Sequence, residues 1–566
     1  MCDSTLCEDR VNSILPFLPL CRRSSALFWP PVVVEFLKSL SKGPLHSKVS
    51  TGQLLALAIS DLRDSLNFPP NYSLRHGFAL FFDDLLSKDD AEKWFGDVLP
   101  QLGDLLLRLP ELLEIHYQNA NTFNGLETGL RLLESQEPGI VFLSQELVAA
   151  LLVCALFGLF PITNRGAKHL PAINFDDLFV CIYECYHLSL ENKIKCIIHY
   201  FERICLHMPT GNVSFERKVL LLKNSPSGIL YPKTNFWSQS DVSLCQLEVR
   251  KSGLIEDQST EALEVDFANK YIGGGALGRG CVQEEIRFMI NPELIVSMLF
   301  MSSMADNEAI EIVGAERFSN YSGYAASFRF TGDFVDKKGV DSLGRRKTRV
   351  IAIDALCSPG KRQYKVEYLL RETNKAFCGY FNPNKYQLYQ KLFKAMGVQE
   401  EEPHQNIRNF FQKSKNLQSA SSESGKQELS FDPPNDDEKK GQQWPNLEEA
   451  IGIATGNWGC GAFGGDPEVK VAIQWLAASQ ALRPFILYYT FGLKGLQKLE
   501  MVVEWIVSHE WTVGELWNML VDYSFQRLKG NIEVGFFHWL LPSLYNDDGG
   551  GGYDDDPMMW MSDNAA

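Results

Sequence analysis

At 566 residues, with 45% hydrophobic and 22% charged residues, the chain is a globular protein too long for one ordinary core, so two domains plus irregular segments are expected. Lys and Arg number 54 against 70 Asp and Glu, a net charge of −16, which argues against duplex DNA binding through bulk electrostatics. A polyanionic ligand would have to be held by backbone amides, helix N-termini and a few aligned side chains.

The first residues include Asp3, Glu8, Asp9 and Arg10, and Pro16, Pro19, Pro30 and Pro31 interrupt the early apolar patches, so no secretory signal is expected. To about residue 205 the pattern is helical and strand-poor, with apolar residues at helical spacing over 52–66, 91–109 and 193–205. The most apolar run, 147–160, falls short of the ~20 residues a membrane helix needs. Ser144 and Glu146 suit its start and Pro161 ends it, which predicts a buried core helix. The 13 cysteines are odd in number and none lies in a CxxC spacing. Cys181 and Cys185, with His187 nearby, therefore read as buried thiols rather than part of a metal site, and reduced thiols suit cytosol or nucleus.

From about residue 213 short strand candidates at 309–313, 349–353, 450–455 and 485–490 alternate with helices at 281–300, 368–378 and 468–481, the pattern of a layered α/β sheet. The basic run Gly344-Arg345-Arg346-Lys347-Thr348-Arg349 reads as an exposed hairpin tip before a strand rather than an import signal. Residues 399–446 collapse into polar and charged types, the composition of a disordered insertion. Thr512 and Glu515 form a capping-box pattern starting a last helix, and 546–566 reads as a flexible acidic tail.

The chemistry concentrates in Val265-Asp266-Phe267-Ala268-Asn269, the triplet Gly273-Gly274-Gly275 and the run Gln283-Glu284-Glu285. Three glycines allow positive φ and close backbone approach to a ligand, and a loop leading into a helix offers free N–H groups to a diphosphate. Two carboxylates in a first helical turn read either as favourable N-terminal acids or as the acid and charge that glycoside cleavage requires.

These motifs resemble the signature of the poly(ADP-ribose) glycohydrolases, whose catalytic domain is a macrodomain. More of the pattern follows in order: Leu254-Ile255-Glu256-Asp257 upstream, Gly314-Ala315-Glu316, Tyr321-Ser322-Gly323-Tyr324, a second glycine-rich loop from Ala454 to Asp466, and Tyr489-Thr490-Phe491-Gly492. The resemblance spans about 210–540, and Asn12-Ser13-Ile14-Leu15-Pro16 in the helical front half is similar to plant members. It implies an all-α accessory domain over 1–205, a macrodomain-like mixed sheet flanked by helices over 206–398 and 447–545, and an insertion between them. It implies an exo-acting hydrolase that releases ADP-ribose and reverses poly(ADP-ribosyl)ation, serving in the DNA damage response in nucleus and cytoplasm. Glu285 would be the general acid and base, Glu284 would position a ribose hydroxyl, and Asp266 and Asn269 would support the site and the distal ribose. Gln283 with Gly273, Gly274 and Gly275 would hold the substrate backbone. Asn457, Trp458, Gly459, Cys460, Gly461, Ala462 and Phe463 would wrap the diphosphate. Ile255 and Glu256 would recognise adenine, with Tyr324 and Phe491 packed on the adenosine end. From the residues alone Tyr324 and Phe491 read equally as core aromatics, Asp266 as a helix cap and the Asn457 loop as a tight turn.

Neighbours on a helix diverge by ~100°, so Glu284 and Glu285 are not expected to form the opposed pair of a two-carboxylate glycosidase. No metal or cofactor is implied; the expected partners are poly(ADP-ribose) and ADP-ribosylated proteins, acted on by a monomer away from membranes. Within the insertion, Ile407, Phe410 and Phe411 resemble a sliding-clamp-binding peptide, although His404 stands where that motif has Gln. The main rival is a non-catalytic macrodomain that reads ADP-ribose, which would not need the Gln283-Glu284-Glu285 run. A dinucleotide or P-loop protein lacks its fingerprint here.

Overall fold

A computed structural model describes residues 11–23, 26–68, 73–120, 122–123, 126–223, 228–382, 389 and 451–545. The expected insertion at 399–446, with Ile407, Phe410 and Phe411, and the expected tail from 546 lie outside the described residues.

Eight strands form one mixed sheet: β1 (Gly139–Ser144), β2 (Asn212–Val219), β3 (Gln246–Arg250), β4 (Ala262–Ala268), β5 (Glu308–Val313), β6 (Arg349–Asp354), β7 (Gly452–Gly456) and β8 (Phe485–Tyr489). Their spatial order is β1-β2-β5-β6-β4-β7-β8-β3. The run β6-β4-β7-β8-β3 is parallel, and β5, β2 and β1 continue it antiparallel. Central strands such as β6 are buried along their whole length, which explains their near-continuous apolar sequences. The four strands expected from the alternating pattern are present. β1 is not among them: it lies inside the stretch expected to be helical, yet forms the sheet's edge.

Six helices matter for the site: α1 (Gln145–Leu156), α2 (Leu188–Leu206), α3 (Gln283–Ile290), α4 (Val366–Tyr380), α5 (Pro467–Gln480) and α6 (Val513–Leu528). α1 is the expected core helix: Ser144 Oγ accepts the Leu147 N–H at 3.3 Å, and every residue of α1 but Glu146 is buried. Thr512 and Glu515 cap α6 reciprocally, as the sequence predicts. The helix expected over 281–300 breaks after Ile290, because Pro292 cannot continue it; a 3₁₀ turn, Pro292–Val296, and a short helix, Ser297–Phe300, follow.

The two faces of the sheet are covered differently. The front-half helices, α1, α2 and α3 pack with Phe215, Ile310, Ile312, Val350 and Ala352 in one continuous core. On the other face α4, α5 and α6 pack with Leu263, Val265, Ile351, Ile353, Ile453 and Ile486. The chain therefore leaves β4 toward one face, through α3, and leaves the adjacent β7 toward the other, through α5. A reversal of that kind opens a crevice at the carboxyl ends of the two strands, where open α/β sheets bind ligands.

The basic run at 344–349 is not an exposed hairpin tip. Arg345 pairs with Asp341, Arg346 with Glu316, and Lys347 and Arg349 with Glu261, and Arg345 and Arg349 are buried. Cys181 and Cys185 are half-buried rather than buried.

Candidate active site

β7 pairs with β4 only over Gly452–Ala454 and Ala262–Glu264. Beyond that point the Gln283 side chain takes over the edge of β4, accepting the Phe267 N–H at 2.8 Å and donating to the Val265 carbonyl at 3.1 Å. A small gap between β4 and α3 is lined by Ile255, Glu264, Val265, Asp266, Gln283, Arg287 and, from β6, Val350.

After β4 the chain turns through Asn269 and the glycine triplet into α3. Gly273 and Gly274 have φ of +89° and +47°, values that only glycine adopts freely. A Cβ on Gly274 would lie 2.5 Å from Glu284 Oε2 and 2.7 Å from Glu285 Oε1, so both carboxylates converge on this one backbone position. The divergence expected of helix neighbours does not occur here. Side chains in a first turn lean back toward the N-terminus, and the loop's amides gather them. Glu284 accepts the N–H groups of Asn269 at 2.8 Å and Gly273 at 2.7 Å; Glu285 accepts those of Gly275 and Val282, both at 2.9 Å. Asn269 Oδ1 in turn accepts the Tyr271 N–H at 3.0 Å.

Glu264 and Asp266 project from one face of β4 toward α3. Glu264 pairs with Arg287 at 2.6 Å and with Lys338. Burial raises its carboxyl, but the two cations outweigh burial and hold it below the usual range. Asp266 is only 1% exposed, and neither carboxyl oxygen has a hydrogen-bond partner among the described residues. Burial, and then the charge of Glu285, push it up to about 8 against the pull of Arg287. Glu284 is likewise raised well above the ordinary carboxyl range, by burial first and then by Asp266 and Glu285, while its two backbone donors pull it down. Buried beside other carboxyls, Asp266 and Glu284 are both pushed toward their protonated forms.

The remaining motifs border this centre. Ile255 is buried with Ala454, Leu487 and Tyr489, and Glu256 accepts the Tyr321 hydroxyl at 2.5 Å. Tyr324 and Phe491, open from sequence to a core reading, are each 46% exposed. The Tyr324 hydroxyl lies near the Gln283 backbone and Glu285; burial raises that phenol to about 12. Phe491, at φ +49°, stacks on Tyr489 with centroids 6.1 Å apart and lies against Gly456. In the second glycine-rich loop Asn457 donates to the Thr490 carbonyl at 3.0 Å and accepts the Tyr488 hydroxyl at 3.2 Å. Trp458 is buried, its indole N–H on the Ile353 carbonyl at 2.9 Å. These two side chains hold the loop, while Gly459, Cys460, Gly461, Ala462 and Phe463 carry the backbone round to Asp466, the N-cap of α5. Among the described residues no group of three His, Cys, Asp or Glu side chains is arranged to hold a metal ion.

Two contributors escaped the sequence reading. The Glu264–Arg287 pair carried a signal, since Arg287 stands two residues after Glu285; Lys193, about 80 residues upstream, touches the glycine loop and carried none.

Residues 234–498 match the family model described as poly(ADP-ribose) glycohydrolase, macro domain fold, and residues 86–217 match that family's helical domain. The chain is 54% identical to poly(ADP-ribose) glycohydrolase 1 of Arabidopsis thaliana, across 95% of its own length and 98% of the relative's. The chain belongs to the poly(ADP-ribose) glycohydrolase family. A second relative from that plant, probable poly(ADP-ribose) glycohydrolase 2, is 49% identical over 94% of this chain and 98% of its own. Poly(ADP-ribose) glycohydrolase 1 of Caenorhabditis elegans is 30% identical over 58% of this chain and 35% of its own. For this glycohydrolase-family member, every site residue from Ile255 to Phe491 falls inside the macro-domain match.

Proposed function

We propose that the protein hydrolyses ribose–ribose O-glycosidic bonds of poly(ADP-ribose), working mainly from the chain end and releasing ADP-ribose. The observation that carries this reading is the convergence of Glu284 and Glu285 on Gly274, at the carboxyl end of β4 and beside a buried, proton-holding Asp266. A module that only reads ADP-ribose has no need of buried, mutually repelling carboxyls, which cost stability.

In the proposed reaction Glu285 donates a proton to the bridging oxygen as the bond from the anomeric carbon to that oxygen breaks. The ribose is left as an oxocarbenium-like cation, and the leaving ribose as a free hydroxyl. Water then adds to the anomeric carbon, and the Glu285 carboxylate takes up its proton, restoring the acid. Glu284, fixed by two backbone donors, orients a ribose hydroxyl and adds negative charge beside the cation. Tyr324 and Phe491 offer exposed aromatic faces to the adenosine end, and the backbone from Gly459 to Phe463 faces the diphosphate. The proposed setting is a monomer in nucleus and cytoplasm.

The test is product analysis on purified poly(ADP-ribose). Free ADP-ribose from the earliest times is expected; short oligomers first would contradict chain-end action, and binding without any release would favour the reader.

A further inference from the structure

Lys193 lies in α2, within the family's helical domain, and its side chain is wholly buried. Its ammonium donates to three backbone carbonyls of the catalytic loop: Gly275 at 3.2 Å, Gly278 at 2.7 Å and Gly280 at 2.5 Å. Three donated bonds use all three ammonium hydrogens, so the group is charged in this arrangement. All three partners are neutral carbonyls rather than carboxylates, although a buried ammonium without a counter-ion costs several kcal/mol. Gly275 links this cation to the chemistry, giving its carbonyl to Lys193 and its N–H to Glu285. The preceding residue, Asn192, accepts the Phe330 N–H at 2.9 Å and so ties α2 to the hairpin that carries Tyr324.

We propose that Lys193 is a positioning residue of the active site: it fixes the turn that presents the Gly275 N–H to Glu285, and it places a positive charge beside that carboxylate. The helical domain thereby completes the catalytic loop rather than merely covering the sheet. This rests on the glycohydrolase reading of Glu285. The groups facing Lys193 are Glu285 from α3, Cys281 from the loop before it, Cys181 from the helix Asp176–Glu184, and Cys196 from α2 itself. Burial lowers the ammonium to about 8, so it keeps its charge at neutral pH.

The experiment compares wild type, Lys193→Met and Lys193→Gln in ADP-ribose release from polymer across pH 5 to 10, with ADP-ribose affinity measured alongside. Gln retains two N–H donors for the carbonyls and removes the charge, so it keeps the test decisive if the Met variant does not fold. The expected result for Gln is a kcat at least ~30-fold lower with ADP-ribose affinity within about threefold. The alkaline limb of its pH–rate profile should move up by about half a unit or more, because the carboxyl cluster has lost a nearby cation. A Gln variant with wild-type kcat, or one whose kcat falls with the limb unmoved, overturns the proposal while leaving the reading of Glu285 intact. A wild type that releases no ADP-ribose defeats both.

Discussion

Gly274 carries a heavier constraint than its size suggests. An alanine there would adopt an unfavourable positive φ and press its methyl into two carboxylates. Gly274→Ala is expected to lower ADP-ribose release by at least ~10²-fold, at a stability cost of about 1 kcal/mol or more, separable by kinetics and urea unfolding. Asp266 sets a pH dependence of stability. Its carboxyl rises from an ordinary 3.8 to about 8 in the folded protein, so the native state binds more protons than the unfolded chain between those values. Its contribution is fully present below about pH 4 and is lost as pH rises through about 8, with a slope of at most ~1.4 kcal/mol per pH unit. Unfolding free energies at pH 5 and pH 8.5 should therefore differ less for Asp266→Asn than for wild type; an equal difference would mean that Asp266 ionises freely in the fold.

Among the elements, the glycine triplet leading into α3 was legible because its residues are contiguous: glycines for positive φ, then two acids where a helix has free N–H groups; β4 before it was not among the expected strands. β1 was not, since Gly139-Ile140-Val141-Phe142-Leu143 runs almost directly into the apolar α1 and periodicity cannot divide a continuous apolar stretch. β2 was hidden differently. Its buried Arg217 and Lys218 look like surface charges until Glu308 and Glu311 are seen beside them in the fold. The Tyr324 hairpin and the turn after β8 present half-exposed rings rather than core contacts, so Tyr324→Ala and Phe491→Ala are expected to weaken ADP-ribose binding about tenfold each. Melting temperatures should stay within a few degrees of wild type; a large drop would return both rings to the core.

Across the whole molecule, the front half and the sheet share one core, with β1 as the sheet's edge and Lys193 beneath the catalytic loop. A chain beginning at residue 206 would expose the face formed by Phe215, Ile310 and Ile312 and lose an edge strand. It is expected to be insoluble or partly unfolded by circular dichroism, whereas a well-folded, active fragment would make the helical half an independent addition. No sequence pattern announced this union, because its contacts join residues tens to hundreds of positions apart. The central claim, that Glu285 supplies and recovers the proton, is tested most directly by single-turnover ADP-ribose release from poly(ADP-ribose) with Glu285→Gln beside wild type. The amide keeps the shape and cannot give up a proton. The account predicts a rate about 10²–10⁴-fold lower with polymer binding retained; release at the wild-type rate would contradict it.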